Sequence, residues 1–181
     1  MEKYFKHFKV ITKHKWYVMI ECFKRGLYWQ GIVHDLSKYS LTEFRESAKY
    51  FQGTGTPINK IKAELGYSGA WLHHKVRNKH HWEYWTDFFE GEIKACPIPN
   101  KYIEEMCCDM IGASKAYLKG KYDSKEPLKY FLERKEKFLM IRADKLYLEA
   151  LLKNAAVGSV NSDKDVDIQQ STANSLTNNN I

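Results

Sequence analysis

Apolar residues recur at three- and four-residue steps along most of the chain, the period of helices that bury one face. Residues 3–29 contain no proline, and His7, Val10, Ile11, His14, Val18 and Cys22 share one stripe, which predicts a long first helix with His14 on its inward side. Gly26 and Gly31 bracket the end of that helix and the start of a shorter element. Ser40-Leu-Thr-Glu43 fits a capping box, so a helix is expected from Leu41 through Phe44 and Tyr50 to about Gln52, with a structural task for Glu43. Gly53-Thr-Gly-Thr-Pro57 reads as a loop and lacks the spacing and following Gly-Lys of a phosphate-binding loop. Helical pattern resumes near Ile58, is broken around Gly66 to Gly69, and continues through residues 71–85. Cys96-Pro-Ile-Pro-Asn100 turns the chain. Residues 100–119 then predict a helix with Tyr102, Ile103, Met106, Met110, Ala113 and Tyr117 as its apolar stripe, and residues 125–153 a last one packed through Leu128, Phe131, Phe138, Leu146 and Leu148. Alternating β-branched runs with hairpin punctuation are missing, so the fold class is all-α. From Asn154 to Ile181 the composition shifts to Asn, Ser, Thr, Asp and Gln without an aromatic residue, which predicts a disordered tail behind a single helical domain over residues 1–153.

At 181 residues the chain can enclose a core of its own. Four cysteines show neither Cys-x-x-Cys spacing nor the framework of a secreted domain, so reduced, buried thiols are expected. The N-terminus interleaves charge with aromatics, and no run approaches the ~18 apolar residues of a membrane span, which points to a soluble, cytoplasmic protein. Net charge is +7, and the last 28 residues hold three Asp and one Lys, so residues 1–153 carry +9. A surplus of that size suits anionic partners: a small phosphorylated substrate such as a nucleotide, or less readily nucleic acid, because the lysines are scattered. Oligomeric state is not legible.

Charge alone names no chemistry, but the histidines do. Four of the seven fall in two adjacent pairs, His73-His74 and His80-His81. On a helix, residues seven apart return to nearly the same face, which would stack His73 above His80 and His74 above His81, with Asn78 on the second stripe. Imidazole is the commonest side-chain metal ligand, and a neighbouring amide or carboxylate can fix its tautomer. His34-Asp35 sets a neutral nitrogen beside an anionic oxygen in an apolar setting, followed by Lys38. Asp109 falls on an apolar stripe, where a carboxylate needs a cation or strong donors, whether a basic side chain or a metal.

The order His14, His34-Asp35, paired histidines, Asp109 resembles the HD superfamily of metal-dependent phosphohydrolases. The resemblance implies an HD-domain-like helical bundle in which His14, His34, Asp35 and Asp109 hold a divalent ion. Binuclear members add histidines, here from His73 or His74 and from His80 or His81, with His74 and His81 the ligands adopted. The run His34-Asp-Leu-Ser-Lys38 is similar to the variant whose lysine faces the substrate phosphate. The same run and Asn78-Lys-His-His-Trp-Glu-Tyr-Trp85 also resemble an uncharacterised family of small bacterial and phage proteins over roughly residues 4–120. The Gly-Tyr-Pro element of cyclic-dinucleotide-cleaving members is absent.

With these residues, the resemblance implies hydrolysis of a nucleotide or other phosphate ester with one or two divalent ions, Mn, Fe, Co, Ni or Mg, activating a water. Lys38 and Arg77 would balance phosphate charge, and His73 or His80 would protonate the leaving group. Trp71, Trp82, Tyr84 and Trp85 could stack on a base or serve as core. The alternatives are a nucleic-acid-binding module and a helical bundle in which an ion has only a structural role.

Overall fold

A computed structural model describes residues 2–53 and 55–157. Helix α1 (Glu2–Lys24) buries His7, Ile11, His14, Val18 and Cys22, the stripe read from the sequence. It is shorter than the predicted 3–29. Leu27 N–H donates to the Cys22 carbonyl (2.9 Å) and Gly26 N–H to that of Phe23 (3.1 Å) across a left-handed Gly26 (φ 72°), a glycine-capped helix end. The chain then doubles back into α2 (Tyr28–Val33). A Cβ at Gly31 would lie 3.0 Å from the Cβ of Cys22, so the missing side chain lets α2 lie directly on α1.

Helix α3 (Leu41–Tyr50) starts where the capping motif places it, with Ser40 Oγ accepting from Glu43 N–H at 3.3 Å. The Glu43 side chain does not reach back in the manner of a capping box; it is buried against histidines. Helix α4 (Pro57–Leu65) is capped by Thr56 and closed by a left-handed Gly66, and α5 (Gly69–Lys75) is capped by Ser68.

The predicted helix through 71–85 is corrected here, because α5 stops at Lys75. Asn78 ends it: its Nδ2 donates to the His74 carbonyl at 2.8 Å, and its own backbone N–H reaches the same oxygen at 3.1 Å. A turn and one 3₁₀ turn (Trp82–Trp85) lead into a hairpin that sequence patterning did not predict, β1 (Thr86–Phe89) against β2 (Glu92–Ala95). Glu90 and Gly91 both have positive φ (53° and 82°), as a two-residue hairpin turn requires. With four residues per strand, alternation had no length in which to show.

Helix α6 (Asn100–Leu118) lies at the centre. Ile103, Met106, Cys107 and Ile111 pack against Phe131, Met140, Leu148 and Leu152, while Cys108 meets Val18 and Cys22 of α1. The buried face is therefore wider than the predicted stripe, of which Met110 and Tyr117 are only half-buried. The expected last helix is two: α7 (Glu126–Arg134) and α8 (residues 142–157), separated by a 3₁₀ turn and an extended segment. Residues 154–157, expected in the tail, continue α8; the remainder of the predicted tail lies outside the described residues. Among the described residues no helix is long and apolar enough to cross a membrane. All four cysteines are free thiols, three of them buried.

Candidate metal centre

Four separate stretches bring titratable side chains to one place between α1 and α6. His14 comes from the middle of α1, and Asp109 from α6 beside it, because Gly112 lets the helices touch: a Cβ there would lie 2.9 Å from the backbone N of Val18. His34 and Asp35 follow the end of α2. Asp35 adopts a left-handed backbone (φ 55°), at a strain of roughly 1 kcal/mol. The helix has already ended at His34 (φ −49°, ψ 126°), and across these two non-helical residues the consecutive side chains converge instead of diverging around a turn. His74 comes from α5, and His80 and His81 from the turn beyond it.

Asp35 is the shared member. Its Oδ2 is 3.1 Å from His14 Nε2 and 3.3 Å from His34 Nε2, while its Oδ1 is 3.3 Å from His74 Nε2 and 3.4 Å from His80 Nε2. Asp109 Oδ1 faces the first pair of imidazoles, at 3.1 and 3.4 Å. His81 Nε2 lies 2.9 Å from His74 Nε2. Besides a smaller set, His34–His80–Glu105, two groups of four result, His14–His34–Asp35–Asp109 and Asp35–His74–His80–His81, each with its donor atoms within 4.8 Å of one another. Either could hold a metal ion.

Behind the imidazoles stand two acids that the sequence did not suggest. One oxygen of Glu105 accepts from His34 Nδ1 at 2.9 Å and from His80 Nδ1 at 3.1 Å, turning both Nε2 atoms toward Asp35. Glu43 accepts from His74 Nδ1 at 2.8 Å and from His73 Nδ1 at 2.6 Å. Glu105 precedes Asp109 by one helical turn, a spacing that could have found it. Glu43 was hidden by its place in the capping motif.

A closed hydrogen-bond network would leave no room for an ion, and this one is not closed. His34 Nε2, Asp35 Oδ1 and His80 Nε2 are buried and make no hydrogen bond, the first in the group with His14 and Asp109, the other two in the group with His74 and His81. Unpaired polar atoms in an interior are destabilising, and a cation held by either group would relieve that cost. Burial opposes ionisation of Asp35, but His34, Lys38 and His74 hold its pKa well below the carboxylate range; Asp109 is lowered against its burial by His14 and His34. Burial and nearby imidazoles lower His80 and His81, so both stay neutral and ligand-ready. His34 and His74 are raised, since Asp35 and the acids around them outweigh burial.

Lys38 forms an ion pair with Asp35 Oδ2 and keeps its proton, because Asp35 and Asp109 outweigh burial. It lines a cavity of about 80 Å³ with His14, His74, His81, Trp71 and Tyr117. Of the residues given roles with substrate, Lys38 is there and His80 lies among the Asp35-facing imidazoles. His73 is half-buried outside the cluster on Glu43, and Arg77 is exposed, its guanidinium on the His73 carbonyl. Among the four aromatics, Trp71 alone lines the cavity; Trp82 stacks on Phe138 and Trp85 leans on Tyr102.

A family model described as a family of unknown function (DUF5662) matches residues 3–154. No curated protein and no solved structure matches the chain.

Proposed function

The chain belongs to this family of unknown function, and from its site we propose a metal-dependent phosphohydrolase of the HD type, acting on a nucleotide or other phosphate ester. One observation carries the reading: the two oxygens of Asp35 face two different sets of imidazoles, with unpaired buried atoms between them. The donor sets mix imidazole with carboxylate, which suits Mn, Fe, Co or Ni ahead of Mg. His14, His34, Asp35 and Asp109 would hold one ion, and Asp35, His74, His80 and His81 a second. Such ions lower the pKa of a water and polarise a phosphoryl group.

The chain's own residues supply the remainder. Lys38 presents a permanent positive charge at the cavity wall, where phosphate oxygens would lie. Tyr117 lines the same cavity and burial keeps its phenol protonated, so it can donate a hydrogen bond to a leaving oxygen. Glu105 and Glu43 hold the imidazoles in the tautomers that point Nε2 inward.

Elemental analysis of the purified protein, joined to a hydrolysis screen over nucleotides and phosphodiesters, tests this. Bound metal and turnover are expected, both lost in His34→Ala and Asp35→Ala; metal and activity unchanged in these variants would refute the proposal. The narrow cavity favours one rival, an ion that fastens the helices without chemistry. Under that reading chelation lowers the melting temperature and no substrate turns over.

A further inference from the structure

Two parts of the described chain carry large apolar side chains that the other described residues leave largely exposed. On α1, Phe5 and Trp16 lie opposite the buried stripe, 59 and 57% exposed, and Phe8 on the flank beside them meets Phe44 and Tyr39 edge-on and stays 44% exposed. The surface beside them is dished twice, between Phe5, Phe8 and Phe44 and between Trp16, Leu36 and Tyr39. On the hairpin, Phe88 and Ile93 are cross-strand partners on one face, 70 and 62% exposed, and Phe89 is 59% exposed on the other face, which also carries Asp87 and Glu92. A lone two-stranded hairpin is marginal in water, and grouped apolar exposure of this kind marks an interface.

Charge decides what covers them. The hairpin holds Asp87, Glu90 and Glu92 against one cation, Lys94, which already pairs with Glu90 (2.6 Å) and Glu92 (3.5 Å); three acids and one lysine leave −2 on a protein whose total is +7. The face of α1 is the reverse. Its only acid near the aromatics, Glu2, is paired with Lys6 at 2.7 Å. Lys9 and Lys13 lie over the rings of Phe5 (4.4 Å) and Tyr17 (5.5 Å), with no carboxylate partner among the described residues.

We propose that two copies of the chain associate reciprocally, the acidic apolar hairpin of each seated on the basic aromatic face of α1 in the other. This arrangement sets the hairpin face that carries Asp87, Phe89 and Glu92 against the lysines and aromatic rings of α1. An anionic membrane surface would satisfy α1 but repel the acids of the hairpin. The association is independent of the metal centre, whose residues lie on the opposite side of α1.

Sedimentation velocity on the full chain at low salt tests it, with a dimer expected. Lys9→Glu with Lys13→Glu, and separately Asp87→Lys with Glu92→Lys, change only exposed side chains, and each double variant should weaken the dimer by about a hundredfold because like charges then face each other. Mixed together the two variants should pair again, since the reversed hairpin meets the reversed helix and the native hairpin the native helix. Circular dichroism checks that both variants are folded. A monomeric wild type, a dimer indifferent to either variant, or a mixture that stays monomeric would each overturn the proposal. So would wild-type binding to phosphatidylserine vesicles that the helix variant loses and the hairpin variant keeps, in place of any dimer.

Discussion

Glu105 accepts a hydrogen bond from His34 Nδ1 at 2.9 Å in the interior of the protein, and the same oxygen reaches His80 at 3.1 Å. One carboxylate thereby orients a histidine from each of the two candidate ligand sets. Glu105→Gln keeps the volume and removes the charge. Metal affinity is expected to fall about 10- to 100-fold, read by titration calorimetry with Mn. Unchanged affinity would leave Glu105 a packing residue.

His73 and His74 are adjacent in sequence and both contact Glu43, but only His74 turns its Nε2 toward Asp35. His74→Ala should lower the metal content of the purified protein, whereas His73→Ala should retain it. Equal metal loss from both would contradict this placement.

Metal binding should release protons. His34 and His74 are raised above the ordinary imidazole value in the metal-free protein, and a ligand imidazole must be neutral at its donor nitrogen. Calorimetry at neutral pH in buffers of different ionisation enthalpy counts the protons. The sign for stability follows: a raised folded pKa contributes below the unfolded value and is lost as pH rises through the folded one. The chelated protein should therefore lose melting temperature on the alkaline side of neutrality, and the metal-loaded protein should lose less.

His7 behaves oppositely. It is buried between Phe44 and Phe51 with ring centroids at 5.5 and 5.1 Å, its Nδ1 has no partner, and burial lowers its pKa to about 4. Between the ordinary imidazole value and 4 the unfolded chain binds the proton first, so stability falls with acidification, by on the order of 3 kcal/mol across that window. His7→Leu should flatten this part of the pH–stability curve in urea denaturation. A curve of unchanged slope would show that His7 titrates normally.

Gly112→Ala inserts a methyl group between α6 and Val18 of α1. Overpacking of this kind costs about 1–3 kcal/mol. The same displacement separates His14 from Asp109, so stability and metal affinity should fall together. Loss of stability with intact affinity would mean that the two helices shift without parting these residues.

Much of the fold can be read from periodicity. The α1 stripe, the start of α3 at Leu41 and the extent of α6 all follow from spacing and capping chemistry. Boundaries set by single residues are harder: Gly26 ends α1 by turning left-handed, and Asn78 ends α5 by a side-chain bond to a carbonyl. Neither interrupts the hydrophobic period. The candidate site shows the same division. Seven of the side chains singled out in the sequence, His14, His34, Asp35, His74, His80, His81 and Asp109, meet in space. Seven-residue stacking on one helix was the wrong reason for grouping the paired histidines, since His80 and His81 reach the cluster from a turn and His73 does not join it. Glu105 and Glu43 were missed because an acid behind a histidine leaves no mark in sequence beyond its own helix.

Asp35 divides its two oxygens between the two neighbouring candidate ligand sets, so two cations there would not load as independent events. The first cation would fix the carboxylate rotamer and take up part of its negative field. A second would meet donors better aligned but less attractive, and a binding isotherm for this centre should depart from the sum of two separate hyperbolas.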